Sequence, residues 1–204
     1  MIKFEFFFDC SSPWTYLAFS RIHKILEIHD INAIWKPILV GGVFNKVNTE
    51  IYFQRQSPNK RKFRYSRKDM QDWAELSNIK INWPSIFPVN AVKMMRMAII
   101  AEEEGNIVNF SNQCFKSYWE EDMDVSDDKI LEKILINSNM SPSKVFKLIN
   151  EDKIKDKLKI NTENLINRGG FGSPTMFIND DDMYFGNDRL ELVEYKLKKL
   201  KENY

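Results

Sequence analysis

The segment Ser12-Pro13-Trp14-Thr15 places two hydroxyl side chains where a buried strand passes into a helix. The first N–H groups of a helix are unpaired and carry the positive end of the helix dipole, so this position favours an anion. A hydroxyl at this position could donate a hydrogen bond to a bound anion. Taken alone, however, Ser12 is more simply explained as the N-cap of the helix, with Pro13 in the first helical position.

A second segment, Gly172-Ser173-Pro174-Thr175, lies near the other end of the chain. It follows a glycine-rich turn and stands just before a predicted strand. An X-Pro bond in such a position can be held cis at the edge of a cleft. We therefore predict that the Ser173-Pro174 bond is cis, and this second feature strengthens a functional interpretation of Ser12.

Ser12 lies within a predicted strand-helix-strand (βαβ) unit. Residues 2–8 are an aromatic, β-favouring run, and a helix is predicted from Pro13 to about Ile28. INAIWKPIL then predicts a second strand, ended by Pro37 and a Gly41-Gly42 turn.

The middle of the chain predicts a long loop followed by helices. From Gly42 to about Arg67 the sequence is polar, rich in Lys and Arg, and without a sustained apolar period. Loops of this length are usually functional or mobile. Helical patterns follow at about residues 67–77, 88–104, 107–120, 127–138, 142–149 and 151–167.

The elements that must position Ser173 form a ββα unit. GGFGSPTMFIN predicts a turn and a strand, DDD a hairpin turn, MYFG a short strand, and residues 188–201 a closing helix. We predict an α/β, thioredoxin-like fold with a four-stranded mixed sheet and a large all-helical insertion. Its parts would be residues 1–44, 45–160 and 161–204.

The composition excludes several classes of function. Lys and Arg total 30 against 29 Asp and Glu, so no nucleic acid or membrane partner is expected from long-range attraction.

The N-terminal apolar run is too short for a signal peptide, and we expect a cytoplasmic protein. The spacings of the two cysteines and two histidines predict no metal site. Cys10, at the end of a buried strand, is expected to be an inert small hydrophobe.

The ordered motifs resemble a known family. They are similar to the motifs of 2-hydroxychromene-2-carboxylate isomerases and of kappa-class glutathione transferases. The motifs are, in order, an aromatic strand, the Ser-Pro helix start, WKPILVGGVF, FPVN, GGFGSPTMFIN and YFGNDRLELV. Both groups belong to the DsbA-type branch of the thioredoxin superfamily. The resemblance extends from about residue 3 to residue 198, and FGNDRLEL beside FGSPT is its most specific part.

The resemblance implies that glutathione is the cofactor and that Ser12 is the catalytic residue. DsbA-type relatives have Cys-Pro-x-Cys where this chain has Ser12-Pro13-Trp14-Thr15, so dithiol exchange through the motif is impossible. In the resembled family the serine stands beside the glutathione thiol. A hydroxyl donor at a helix N-terminus stabilises such a thiol as thiolate.

The resemblance also implies the remaining glutathione contacts. Main-chain atoms of Ser173, beside Pro174, would pair with the peptide, although relatives usually have an apolar residue there. Asp188 and Arg189 match the family's Asp-Arg pair, and the acid would take the γ-glutamyl amine. Lys62 would meet the glycine carboxylate, with Asn48 as a weaker candidate. Lys60 or Arg61 could make this contact in place of Lys62. The non-functional alternatives are a helix cap at Asp188 with a solvated neighbour, and a solvated basic loop around Lys62.

Asn90 and Trp119 are the candidates for the substrate pocket. Asn90 lies in FPVN at the start of a predicted helix, and Trp119 lies in YWEEDMDVSD, which resembles the family's aromatic and acidic stretch on the substrate side. Phe87, Met94 and Met97 are spaced to face the cleft between the helical block and the sheet, although core packing is the more common role of such a stripe.

The implied activity is glutathione-dependent isomerisation of a conjugated aromatic acid by thiolate addition, bond rotation and elimination. A kappa-like glutathione transferase or peroxidase is the first alternative, and a non-catalytic thioredoxin-fold binding module is the second. Retention of Ser12, Pro174, Asp188 and Arg189 argues against the second. The expected partners are a small aromatic substrate and a second copy of the chain in a homodimer.

Overall fold

The computed structural model describes residues 2–202. Its four strands are Phe4–Phe8 (β1), Ala33–Pro37 (β2), Thr175–Ile178 (β3) and Asp182–Phe185 (β4). They form one sheet in the order β2-β1-β3-β4, in which only β1 and β2 are parallel. The prediction of a mixed sheet built from both ends of the chain is confirmed.

Strand β1 is central, and all five of its residues are buried. Successive side chains of a strand point to opposite faces of the sheet. Phe6 and Phe8 accordingly pack against Phe19, while Phe7 meets Phe177 on the other face, with ring centroids 5.6 Å apart. This aromatic core fixes the end of β1, from which the chain continues to Ser12.

Ten α-helices cover the sheet and form the helical block. Helix α1 spans Pro13–Ile28 as predicted. The others are Val40–Val47 (α2), Glu50–Gln56 (α3), Lys60–Leu76 (α4), Val92–Glu103 (α5), Ile107–Phe115 (α6), Asp128–Asn137 (α7), Pro142–Leu148 (α8), Asp152–Asn167 (α9) and Leu190–Glu202 (α10). A π-helical turn, Lys116–Glu120, extends α6, and none of the helices within residues 2–202 has the length and apolarity to cross a membrane.

The prediction of a long loop from Gly42 to Arg67 is wrong, because α2, α3 and half of α4 occupy it. The physical reason is that these helices bury little: α3 has no buried residue, and α4 buries only Met70 and Ala74. A helix without a buried apolar face leaves no apolar period in the sequence.

The Gly41-Gly42 turn is also wrong, since both glycines lie in the first turn of α2. Gly42 faces α9, and a Cβ there would make an ordinary van der Waals contact with Cγ2 of Thr162, 3.4 Å away. The boundary expected at residue 160 falls inside α9, and the division into three parts stays a prediction.

Candidate active site

Ser12 is the N-cap of α1, and it is 8% exposed. Its Oγ accepts the N–H of Thr15 at 3.3 Å, and Pro13 occupies the first helical position, as the sequence indicates. The same Oγ donates to the carbonyl oxygen of Ser173 at 3.1 Å. The hydroxyl is therefore both a helix cap and a contact between the two ends of the chain.

Ser173 and Pro174 lie opposite the start of α1, and the peptide bond between them is cis, as predicted. The Ser173 hydroxyl accepts the N–H of Asp9 at 2.9 Å and shares a hydrogen bond of 2.7 Å with Oγ1 of Thr15. Where relatives usually have an apolar side chain, this chain thus has a buried hydroxyl bonded to both sides of the Ser12 loop.

The main chain of Ser173 is available for pairing. Its N–H has no hydrogen-bond partner within residues 2–202, and its carbonyl oxygen accepts only the hydroxyl of Ser12. The next carbonyl, that of Pro174, already accepts the N–H of Gly186 at 3.1 Å. An extended peptide could therefore pair with Ser173 through both main-chain groups.

Asp9 is a site residue that the sequence reasoning missed. Its carboxylate is 1% exposed and accepts the N–H and the hydroxyl of Ser11 and, at 2.8 Å, the N–H of Val40 at the start of α2. Burial raises the pKa of Asp9, and these hydrogen bonds oppose the shift. Asp9 thus ties the Ser12 loop to α2. An acid at the end of a buried strand was the available signal.

Asp188 and Arg189 follow β4 in a short 3₁₀ turn and pair at 2.7 Å. Gly186 makes room for this carboxylate: its φ is +99°, and a Cβ there would lie 2.6 Å from Oδ1 of Asp188. Asp188 lines a cavity of about 470 Å³ whose other walls are Trp14, Tyr65, Asp69, Trp73, Phe185, Gly186 and Asn187. Because Trp14 is two residues from Ser12, this cavity extends from the start of α1 to Asp188.

Asn187 is a second residue that the sequence reasoning missed. It is 3% exposed, and its Nδ2 has no hydrogen-bond partner within the described residues. Buried amide donors are normally paired, and an unpaired one calls for an explanation. An acceptor on a ligand in the adjoining cavity would supply it. Its position between Gly186 and Asp188 in FGNDRLEL was the signal.

The two candidates from the predicted loop are Asn48, which caps the end of α2, and Lys62, which lies on α4. Asn48 ends α2, and its Nδ2 donates to the carbonyl of Phe171 at 3.3 Å, close to Ser173 in sequence. Lys62 lies in the exposed first turn of α4, where Asn59 caps its N–H at 3.2 Å, and it forms no ion pair within residues 2–202. The same helix contributes Tyr65 to the cavity, so Lys62 stands one turn before the cavity wall.

Asn90 and Trp119 are not part of that cavity. Asn90 is exposed, and its Oδ1 accepts the N–H of Val92 at 3.2 Å, which begins α5. Trp119 is fully buried in the π-helical turn, with its ring centroid 6.2 Å from that of Trp83 and 6.3 Å from that of Phe87. Trp119 therefore lies behind two more accessible aromatic rings.

Cys10 and Cys114 are both buried free cysteines. Burial, reinforced by the neighbouring Cys114 thiol, raises the pKa of the Cys10 thiol well above its usual range. The Cys10 N–H donates to Sδ of Met95 at 3.4 Å, within the core. A thiol in this environment is not a nucleophile at neutral pH, which agrees with the expectation from the sequence.

Comparisons with known proteins agree with this geometry. Residues 3–198 match the DSBA-like thioredoxin domain family. The chain is 27% identical to the 2-hydroxychromene-2-carboxylate isomerase of Pseudomonas putida, covering 96% of this chain and 94% of that protein. It is 24% identical to glutathione S-transferase kappa 1 of Rattus norvegicus, covering 95% and 89%. A solved 2-hydroxychromene-2-carboxylate isomerase has the same fold, with a TM-score of 0.82 at 24% identity over 98% and 96% of the two chains.

Proposed function

The chain belongs to the family of DSBA-like thioredoxin domains, and we propose that it is a glutathione-dependent isomerase of the 2-hydroxychromene-2-carboxylate isomerase type. Dithiol redox chemistry through the helix-start motif is excluded, because Ser12 and Thr15 occupy the positions of the two cysteines. The residues that remain are suited to binding a thiol rather than to exchanging disulfides.

The residues present fit glutathione. Ser173 has an unpaired main-chain N–H beside the cis proline, which suits the peptide part of the ligand. Asn187 has an unpaired buried amide donor, which suits a carboxylate, and Asp188 suits an amine. Both line one cavity of about 470 Å³ together with Trp14, and this volume lies within the range of small-molecule sites.

Bound glutathione would supply a thiolate that adds reversibly to a conjugated carbon, so that the former double bond can rotate before the thiolate leaves. Ser12 would hold that sulfur. Its Oγ is fixed at the N-terminus of α1 by the Thr15 N–H, where the helix dipole also favours negative charge. Asp188, Asn187 and Arg189 would hold the γ-glutamyl end.

The observation that carries this proposal is the contact between Ser12 and Ser173. Their 3.1 Å hydrogen bond brings a hydroxyl at a helix N-terminus beside the main chain that precedes a cis proline. A sulfur held next to Ser12 would therefore belong to a ligand whose peptide part lies along Ser173. The identity to isomerases over nearly the whole chain favours isomerisation as the reaction.

Two measurements test the proposal. Isothermal titration with reduced glutathione should give saturable binding, which a scaffold without a site would not show. Conversion of 2-hydroxychromene-2-carboxylate, followed by absorbance, should then require glutathione and leave its concentration unchanged. Absence of glutathione binding would contradict the proposal.

A kappa-like glutathione transferase or peroxidase is the second candidate, and the similarity to the rat kappa enzyme over 95% of the chain favours it. It would use the same Ser12 and the same glutathione contacts. The distinction lies in consumption: a transferase reaction with an electrophile such as 1-chloro-2,4-dinitrobenzene would deplete glutathione, whereas isomerisation would not.

The proposal also includes a small aromatic substrate, glutathione contacts from Lys62 and Asn48, and a pocket on the side of Asn90 and Trp119. These assignments stay predictions, as do the homodimer and the cytoplasmic location. The division into residues 1–44, 45–160 and 161–204 is likewise a proposal about how the helical block is inserted.

A further inference from the structure

Ser12 has one hydroxyl proton, and the structure commits it. The proton is donated to the carbonyl oxygen of Ser173 at 3.1 Å, while a lone pair of the same oxygen accepts the N–H of Thr15 at 3.3 Å. A serine hydroxyl has only one proton to donate. In this arrangement Ser12 therefore has nothing to offer to a bound thiolate.

The acceptor of that proton is also the group that a peptide would use. Within residues 2–202 the Ser173 carbonyl has no donor other than Ser12, and the Ser173 N–H has no acceptor. A strand-like ligand pairs through an N–H and a C=O of the same residue. Its own N–H could therefore replace the Ser12 hydroxyl as the donor to that oxygen, so the buried carbonyl would stay paired if the hydroxyl turned away.

We propose, resting on the glutathione-dependent function above, that Ser12 changes acceptor when the ligand binds. The main-chain N–H of the thiol ligand takes the Ser173 carbonyl, and the freed Ser12 O–H turns to the sulfur. No covalent bond is broken in this step: one hydrogen bond of the hydroxyl, to the Ser173 carbonyl, is exchanged for another, to the sulfur.

The local structure allows this reorientation without movement of Oγ. The bond from the Thr15 N–H holds Oγ at the helix cap in both states, so rotation about the C–O bond is sufficient. The hydroxyl of Ser173 is bonded separately to Asp9 and Thr15, so the carbonyl stays in place during the exchange.

The favoured ligand is a thiol that carries a main-chain N–H on its sulfur-bearing residue, as in an N-acylated cysteine, because that N–H pairs the Ser173 carbonyl when the Ser12 hydroxyl turns to the sulfur. A simple alkyl thiol lacks this group, so the same turn would leave the buried carbonyl without a donor and is disfavoured. The site thereby favours cysteinyl peptides in two ways: they bind through the main chain of Ser173, and they allow the Ser12 hydroxyl to bond to their sulfur.

The carbonyl of Ser173 can be observed directly by NMR. Protein labelled with ¹³C at serine carbonyls and with ¹⁵N in proline gives coupled signals only from the four Ser-Pro pairs that begin at Ser12, Ser57, Ser141 and Ser173. The Ser173 signal is identified by its loss in Ser173→Ala. It is then compared between wild type and Ser12→Ala, with and without saturating reduced glutathione.

Without glutathione, Ser12→Ala should shift the Ser173 carbonyl signal upfield, because the carbonyl loses its hydrogen bond. With glutathione, the two proteins should give the same shift, since the ligand is then the donor. Thr15→Val is the matched control: it removes a hydrogen bond from the Ser173 hydroxyl and none from the Ser173 carbonyl, so any shift it causes in the carbonyl signal should be small and the same with and without glutathione.

Three results would overturn the inference. The Ser173 carbonyl shift could differ between wild type and Ser12→Ala in the glutathione complex, or it could be the same in the two free proteins. The third is a Thr15→Val effect on this shift that disappears when glutathione is added. Spectra that glutathione leaves unchanged in every protein would contradict the proposed function as well. A failure of the exchange alone is therefore distinguishable from a failure of glutathione binding.

Discussion

The indole Nε1 of Trp119 donates to the carbonyl oxygen of Cys10 at 3.0 Å, which joins the helical block to the loop that carries Ser12. The next residue, Glu120, accepts a hydrogen bond of 2.5 Å from the hydroxyl of Tyr16. Tyr16 lies in α1, four residues after Ser12. The π-helical turn thus contacts α1 and the preceding loop in two adjacent places. π-helical turns are often found at functional sites.

Trp119→Phe should destabilise the protein by about 1–3 kcal/mol, because the buried Cys10 carbonyl loses its donor and the smaller ring leaves a void. Chemical denaturation measures this change. Trp83→Phe is the control, because Trp83 is 37% exposed and makes no hydrogen bond within residues 2–202. Equal effects of the two substitutions would contradict a role for the Trp119 contact.

Asp188→Asn should weaken glutathione binding about tenfold, since it removes the charge opposite the ligand amine while keeping the shape of the side chain. Turnover at saturating glutathione should change little, because Asp188 is proposed to hold the γ-glutamyl end of the ligand and Ser12 its sulfur. Titration calorimetry and steady-state kinetics separate the two effects. The control is Asp181→Asn in the exposed hairpin turn, which should leave both constants unaltered. A large loss of turnover with unchanged affinity would refute this role.

Asn187→Ala should weaken glutathione binding by tenfold or more and cost less than about 1 kcal/mol of stability. The reason is that Nδ2 has no partner within the described residues, so the substitution breaks no hydrogen bond of that group in the free protein. Binding is measured as for Asp188, and unfolding by heat. Asn112→Ala, on the exposed surface of α6, serves as the control. Unaltered affinity in Asn187→Ala would show that the ligand does not use this donor.

The fold could be predicted from the sequence wherever a residue pattern reflects burial. The aromatic run of β1 and the strand after Pro174 bury both faces, and both strands were predicted correctly. Helix α4 was missed in its first half because residues 60–69 remain largely exposed. What stabilises it is the Asn59 cap and the stacking of Arg67 on Trp83, with the guanidinium 4.5 Å from the ring centroid. Neither feature gives an apolar period.

The candidate site was predictable to the extent that it depends on main-chain geometry. Ser12 as a cap and the cis bond before Pro174 follow from local rules, and the structure brings them together. The bonds of Asp9 to Ser11 and Val40, and the unpaired amide of Asn187, depend on the packing of segments far apart in sequence. The sequence could mark Asp9 and Asn187 as candidates by their positions, but it could not give the contacts that they make or lack in the folded chain.

His23 should make stability depend on pH. Burial against Phe19 and Trp35 lowers the pKa of His23 below its usual value, and its Nε2 has no hydrogen-bond partner among residues 2–202. The unfolded chain therefore takes up the proton first as the pH falls through about 6.5, and stability is lost below that pH. His23→Phe should lose less stability than wild type between about pH 7 and pH 5. Parallel stability curves would contradict this assignment.

The role of Ser12 is the central claim, and its substitution by alanine must be separated from the loss of a helix cap. Loss of the cap alone costs about 1 kcal/mol of stability and leaves the titration of a bound thiol unchanged. Loss of a hydrogen bond to a thiolate, at roughly 1.5–3 kcal/mol, instead raises the thiol pKa by about 1–2 units. Glutathione affinity should change little in either case.

The most direct measurement is the thiolate absorbance of bound glutathione as a function of pH, with wild-type protein and with Ser12→Ala at saturating protein. If Ser12 donates to the sulfur, the titration midpoint of the bound thiol moves to higher pH in Ser12→Ala, and turnover near neutral pH falls in proportion. Superimposable titration curves for the two proteins would contradict this donation and would leave Ser12 as a helix cap alone.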